Sequence, residues 1–138
     1  MMLQVKQRND TSRGVRFMAT LCFYQDTRHA TPLMWMREIL GIGYISSRKD
    51  GMTELRINGF ASVRQVLTLL RPYIRFKTIQ ADALLRACLI LESKKMSNLC
   101  EVELRELVDL IFVIKKQNYK SSQTLTKEAL LARLNLTP

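Results

Sequence analysis

Hydrophobic and polar positions alternate with period two at the start of the chain. Leu3 and Val5 oppose Gln4, Lys6 and Arg8, and further on Phe17, Ala19, Leu21 and Phe23 oppose Arg16, Met18, Thr20, Cys22 and Tyr24. This spacing predicts two half-buried strands with the apolar set on a core and the other set outward. A polar loop over residues 9–14, with Asp10, Ser12 and a turn-permitting glycine, joins them. The theme repeats at residues 42–48 and 53–58, which flank Lys49-Asp50-Gly51, an Asp-Gly hairpin signal. Here Tyr44, Ser46 and Arg48 share one face, as do Glu54, Arg56 and Asn58, while Leu55 and Ile57 point the other way.

Between and after the hairpins the period becomes helical. Pro32 can open a helix whose stripe is Leu33, Met36, Ile39 and Leu40, ended by Gly41, with Trp35 at the core or its edge. Residues 61–70 predict a second helix with Val63, Val66, Leu67 and Leu70 inside, stopped by Pro72. A third, over about 78–92, carries Ile79, Ala83, Leu84, Ala87, Cys88 and Leu91, and the basic cluster Arg71, Arg75 and Lys77 lies just before it. The tail, 97–138, is helical in pattern, with Val102, Leu107, Leu110, Ile111 and Ile114 as core candidates. A Ser/Thr/Gln-rich loop then leads to a short last helix at about 127–134. The order ββαββαα plus a helical tail implies an α+β fold, one antiparallel sheet with helices on one face. Residues 1–138 are expected to form a single domain, with 1–96 as sheet and core helices and 97–138 as the tail.

Charge changes the picture. Lys and Arg number 22 against 12 Asp and Glu, a formal net charge of +10 that favours a polyanionic partner, nucleic acid first. The outward set of the first hairpin is rich in Arg, Lys and Gln, which contact phosphates and base edges. On those residues alone the face suits a solvated sheet and a nucleic-acid surface equally well. Three cysteines without a CxxC pair suggest neither a disulfide framework nor zinc, and Cys88 and Cys100 read as small core residues. A reducing compartment fits: intracellular, in an organelle (chloroplast or mitochondrion) or a bacterial cytoplasm. No apolar run marks a signal peptide or a membrane span.

The stretches LQVK, TLCFYQDT, LGIGYI and LRPYIRFKTIQADALL, with the tail ahead of Pro138, resemble the LAGLIDADG homing endonucleases, specifically the single-motif, homodimeric kind of organellar introns. The similarity runs over nearly the whole chain and lies in order and spacing rather than in one motif. It implies a four-stranded antiparallel saddle along the major groove of double-stranded DNA, backed by helices. By the same resemblance, Gln4, Lys6, Arg8, Arg16, Cys22, Tyr24, Tyr44, Ser46, Arg48, Glu54 and Arg56 would read bases. Thr11, Ser12 and Arg13 would reach outer base pairs. Gln25 would order water and Lys77 would stabilise phosphate charge near the cleavage centre. His29, with Arg28 beside it, stands where relatives carry an arginine.

The resemblance also implies a helix ending in the acidic motif just ahead of the first strand, and this sequence does not contain it. In the family that helix forms the dimer interface, and its carboxylate binds the Mg²⁺ that activates water. Asp26 and Asp50 read as turn residues, so no metal ligand is expected from this chain alone. Two readings account for this: Met1-Met2 as an internal start within a complete nuclease, which is favoured, or a saddle that persists without the helix. On either, the 138-residue chain is expected not to cut DNA, and to bind it poorly or not at all as a dimer through the family interface. It is expected to be monomeric or paired through some other apolar surface. The competing functions are a site-specific Mg²⁺-dependent DNA endonuclease and a non-catalytic nucleic-acid-binding protein or RNA splicing cofactor on the same scaffold. A third, a basic RNA-coating protein, would call for more stacking aromatics on the sheet than Tyr24 and Tyr44.

Overall fold

The computed structural model describes residues 1–9, 13–118 and 126–137. In chain order these form β1 (Met2–Gln7), β2 (Val15–Asp26), α1 (Thr31–Leu40), β3 (Tyr44–Ser47), β4 (Met52–Asn58), α2 (Phe60–Leu70), α3 (Thr78–Ser93), α4 (Glu101–Lys116) and α5 (Lys127–Arg133). The four strands make one antiparallel sheet in the order β1-β2-β4-β3. The α+β architecture expected from the pattern is the one present. The strands are long enough for the alternation to show, and α1 and α2 stop where the sequence places Gly41 and Pro72. Gly41 takes a left-handed φ of 64° and its N–H closes α1 on the Arg37 carbonyl.

β2 joins the two hairpins. Its first half pairs with β1, from Val15 opposite Gln7 to Thr20 opposite Met2. Its second half pairs with β4, from Thr20 opposite Asn58 to Asp26 opposite Met52. One parity of these strands, including Leu3, Phe17, Ala19, Leu21, Leu55 and Ile57, is buried against α2, α3 and α4. The core runs on through Val63, Leu67, Leu84, Leu104, Leu107, Ile111 and Ile114 to Leu130 and Leu134 of the tail. The other parity faces away from the helices.

Several expected core positions lie outside it. Trp35 and Ile39 are 61% and 64% exposed, because α1 buries only Leu33. Ile79, in the first turn of α3, and Val102, in the first turn of α4, are exposed where their helices enter from a connection rather than from beneath a neighbour. Leu110 is only half-buried. Cys100 is exposed because it caps α4, in a capping box where Glu103 accepts from the Cys100 N–H at 2.9 Å. Cys88 is buried as expected, and burial pushes its thiol up to about 12. At pH 8 a thiol reagent is therefore expected to label Cys100 and spare Cys88 in the folded chain; labelling of Cys88 at the rate of Cys100 would contradict this packing.

The helical layer is laced by ion pairs: Arg64–Glu92, Arg71–Asp82, Arg86–Glu106, Lys94–Glu103, Arg105–Glu101 and Lys127–Asp109. Lys94, and then the Cys100 N–H, hold the Glu103 carboxyl down to about 2 from its ordinary 4.5, and Arg71 and Arg64 lower Asp82 and Glu92 in the same direction. A depressed folded-state pKa adds stability that is present above the ordinary value and lost as pH falls through the folded one. Thermal stability is thus expected to fall between about pH 4.5 and pH 2, and Glu103→Gln to flatten part of that slope. These side chains are exposed, so added salt shrinks the effect.

Candidate nucleic-acid interface

The face turned away from the helices is a polar grid set by strand register. Across β1 and β2, Gln4 lies opposite Met18 and Lys6 opposite Arg16. Across β2, β4 and β3, one row is Cys22, Arg56 and Tyr44, and the next is Tyr24, Glu54 and Ser46. The sheet therefore gathers Gln4, Lys6, Arg16, Cys22, Tyr24, Tyr44, Ser46, Glu54 and Arg56 on one surface, as the alternation predicted. Arg8 follows at the exposed end of β1, its N–H donating to the Gly14 carbonyl at 2.9 Å.

The two ends of this surface differ. On the β1–β2 side, Lys6 and Arg16 face each other across the strands, both exposed, and neither forms an ion pair among the described residues. Like charges directly opposite destabilise a strand pair unless an anion lies between them. With Arg8 they line a groove of about 710 Å³ that continues to Asn58 and Phe60. On the β4–β3 side the polar groups are tied to one another. The Thr20 hydroxyl donates to Asn58 Oδ1 at 2.9 Å, the Asn58 amide donates to the Tyr44 hydroxyl at 3.4 Å, and the Arg48 guanidinium lies 5.7 Å over the Tyr24 ring.

Glu54 and Arg56 depart from the expectation of two open base readers. Glu54 is only 3% exposed, with Oε1 2.7 Å from Arg56 Nη2. Its Oε2 and the Arg56 Nε are buried without partners. A buried unsatisfied polar atom costs about 1–3 kcal/mol, more when charged, so this pair is a strained and specific arrangement. Burial, with the neighbouring Cys22 and Glu54, raises the Tyr24 hydroxyl to about 12, so it remains a neutral hydrogen-bonding group. Arg48 is also displaced from its expected place. It lies beyond the end of β3, its N–H donating to Met52 O at 2.7 Å, and its guanidinium pairs with Asp50 at 2.9 Å. It does not stand opposite Arg56, whose partner across β3 is Tyr44.

The remaining candidates are scattered around the rim. Arg13 is held by donation to the Leu99 carbonyl at 3.1 Å, which ties the β1–β2 connection to the start of the tail. Thr11 and Ser12 lie outside the described residues. Gln25 belongs to the core-facing parity of β2, opposite Thr53, yet is exposed because the core has run out at that end. Lys77 is exposed just before α3 with a left-handed φ of 63°, close enough to the Met1 amine to lower its pKa after burial has done so. His29 and Arg28 lie in a turn where Arg28 grips Asp26 through two hydrogen bonds.

These features match known proteins. A curated relative, the DNA endonuclease I-CvuI of Chlorella vulgaris, is 31% identical over 83 residues, 60% of this chain. The chain spans about half, 52%, of that relative's length. The crystal structure of I-CvuI with an I-CreI target superposes with a TM-score of 0.82 at 25% identity, covering 99% of this chain and 87% of that one. The chain is similar to the LAGLIDADG homing endonucleases and has their fold. An archaeal intron-encoded homing endonuclease, I-Vdi141I, complexed with DNA, shares the LAGLIDADG fold at TM-score 0.81 and 21% identity, covering 97% of this chain and 85% of that one. The LAGLIDADG homing endonuclease I-SmaMI, bound to cleaved DNA, shares it at 0.75 and 17% identity over 99% of this chain and 45% of that one. No protein-family model matches the sequence.

The metal that the LAGLIDADG resemblance implies finds no ligand set among the described residues. No group of three or more His, Cys, Asp or Glu is placed to hold an ion. The acids near the polar face are committed elsewhere, Asp26 to Arg28, Asp50 to Arg48 and Glu54 to Arg56. A hard divalent cation needs several free oxygens. The described residues do not fit it. Among them, too, no helix is long and apolar enough to cross a membrane.

Proposed function

We propose that this chain recognises double-stranded DNA site-specifically through the polar face of its sheet, in the manner of an intron-encoded homing endonuclease and as one half of a two-fold pair. The facing Lys6 and Arg16, without an ion pair among the described residues, carry the proposal, because a phosphate between them would turn a repulsion into two charge-assisted contacts. The sheet face and its ends carry Lys6, Arg8, Arg16, Arg48 and Arg56 against Asp50 and Glu54, a local excess of positive charge. In this reading Gln4, Cys22, Tyr24, Tyr44, Ser46 and Arg56 meet base edges, and Lys6, Arg8, Arg13, Arg16 and Arg48 meet phosphates and outer positions. Gln25 and Lys77 flank the scissile phosphate, one holding water and the other countering charge.

Pairing is supported by an apolar groove of about 220 Å³ beside Met1, lined by Leu21, Phe23, Leu70 and Ile74 and rimmed by the exposed Tyr73 and Phe76. Such a surface is usually covered by a partner. A stacking-based RNA reading is less well served, because the polar face offers Tyr24 and Tyr44 among chiefly long polar side chains and the Tyr24 ring already lies beneath Arg48.

Anisotropy with labelled duplex and single-stranded DNA tests the proposal. The duplex should bind more tightly, with two chains per duplex by sedimentation, and chelation with EDTA should leave affinity unchanged, since no described residue set holds a metal. Equal affinity for single strands would overturn the duplex reading. A one-to-one complex would overturn the pairing.

A further inference from the structure

We infer that Glu54 is a positioning residue that locks Arg56 to read one guanine per half-site, an inference that rests on the duplex reading above. β4 lies between β2 and β3, so Arg56 has Cys22 on one side and Tyr44 on the other, and Glu54 has Tyr24 and Ser46. This is the middle of the polar face, where a carboxylate would ordinarily be solvated. Instead Glu54 is covered, and an accessible base cannot reach it first.

Its role is therefore exerted through Arg56. Among the described residues, one Glu54 oxygen is engaged, by the terminal nitrogen of Arg56. Were Arg56 to leave for a phosphate, it would strand a buried bare carboxylate, which is strongly unfavourable. Arg56 is thus tethered in place as DNA docks. Its side chain is 34% exposed while Nε is buried, so the donors open to a ligand are terminal Nη groups.

A tethered group that offers only donors selects a base edge that offers only acceptors. In the major groove guanine presents O6 and N7 side by side. Adenine and cytosine each add an amino donor, and thymine pairs one acceptor with a methyl. The fixed geometry also removes the rotamer freedom that lets a loose arginine settle for several bases. Tyr24 flanks Glu54 and Tyr44 flanks Arg56 across the neighbouring strands, and the Tyr44 hydroxyl accepts from Asn58.

The test is a binding profile of the full chain on a duplex library randomised across the site, for wild type, Glu54→Gln, Arg56→Lys and the double variant, with thermal melts alongside. Wild type should prefer guanine at one position per half-site by roughly ten- to a hundredfold. Glu54→Gln should erase most of that preference there and leave other positions unchanged. Arg56→Lys, which keeps the charge and loses the fork, should erase the same preference, and the double variant should add nothing. Duplex binding with a profile unaltered by Glu54→Gln would overturn this inference alone. So would a loss spread evenly over all positions with a lowered Tm, which is the signature of a merely structural role. A wild type that binds no duplex would overturn the DNA reading and this inference with it.

Discussion

Replacing Lys6 and Arg16 together by glutamine is expected to weaken duplex binding about 100-fold near 0.1 M salt, since each lost phosphate contact costs roughly tenfold there. The log–log salt slope should become shallower by about two units, one per removed contact. The fold should not suffer. Both side chains are exposed and face each other on β1 and β2, so neutralising them relieves a repulsion and leaves stability unchanged or slightly raised. The control is Arg86→Gln on the helical layer, where the arginine is paired with Glu106, and it should barely change affinity. Affinity measured by anisotropy at several salt concentrations, beside thermal melts, separates the outcomes. An unchanged slope in the double variant would move the DNA surface away from the β1–β2 hairpin.

Gly43→Ala is expected to cost about 2–4 kcal/mol of stability, combining backbone strain with a forced shift of β4. Gly43 has φ 96°, which an L side chain rarely adopts, and an added Cβ would lie 2.9 Å from the Arg56 carbonyl oxygen and 2.9 Å from Ile57 Cγ1. Neither neighbour can yield cheaply. One is the backbone of a central strand and the other a fully buried core residue. For a chain of this size the loss corresponds to a Tm lower by roughly 10 °C. Because the displaced backbone carries Arg56, base discrimination should fall along with stability. A melt within a degree of wild type would show that β4 has room the structure denies it. Gly41→Ala is the useful comparison: its φ of 64° is strained, but the added carbon meets nothing within 4 Å, so it should cost less.

The sheet was legible because its alternation is strict. Leu3, Phe17, Ala19, Leu21, Leu55 and Ile57 fall on one parity, and all are buried. The outward set was legible for the same reason, and the resemblance gave it a partner. Helix stripes were less informative, since periodicity finds an apolar side without telling how far the neighbouring layer extends. Trp35 and Ile39 continue the α1 pattern past the sheet, and Ile79 and Val102 sit in first turns that nothing overlies. The burial of Glu54 could not be read from β4 alone, where a glutamate at an outward position looks solvated. Its cover comes from the rows above and beside it, and those follow only once β2 and β3 are registered against β4. Arg48 was misplaced by one step, because the hairpin leaves the ladder at Ser47 and hands the arginine to Asp50. Cys100 misled as an apolar helical position because its place is the cap.

The most direct test of the account is a titration of wild-type affinity for a duplex against salt. If roughly five to eight Lys and Arg side chains neutralise phosphates, log K should fall with log salt at a slope of about −4.5 to −7, a loss of roughly 10³- to 10⁴-fold between 50 and 200 mM. A flat response would contradict the claim that the polar face of this sheet is a DNA-binding surface.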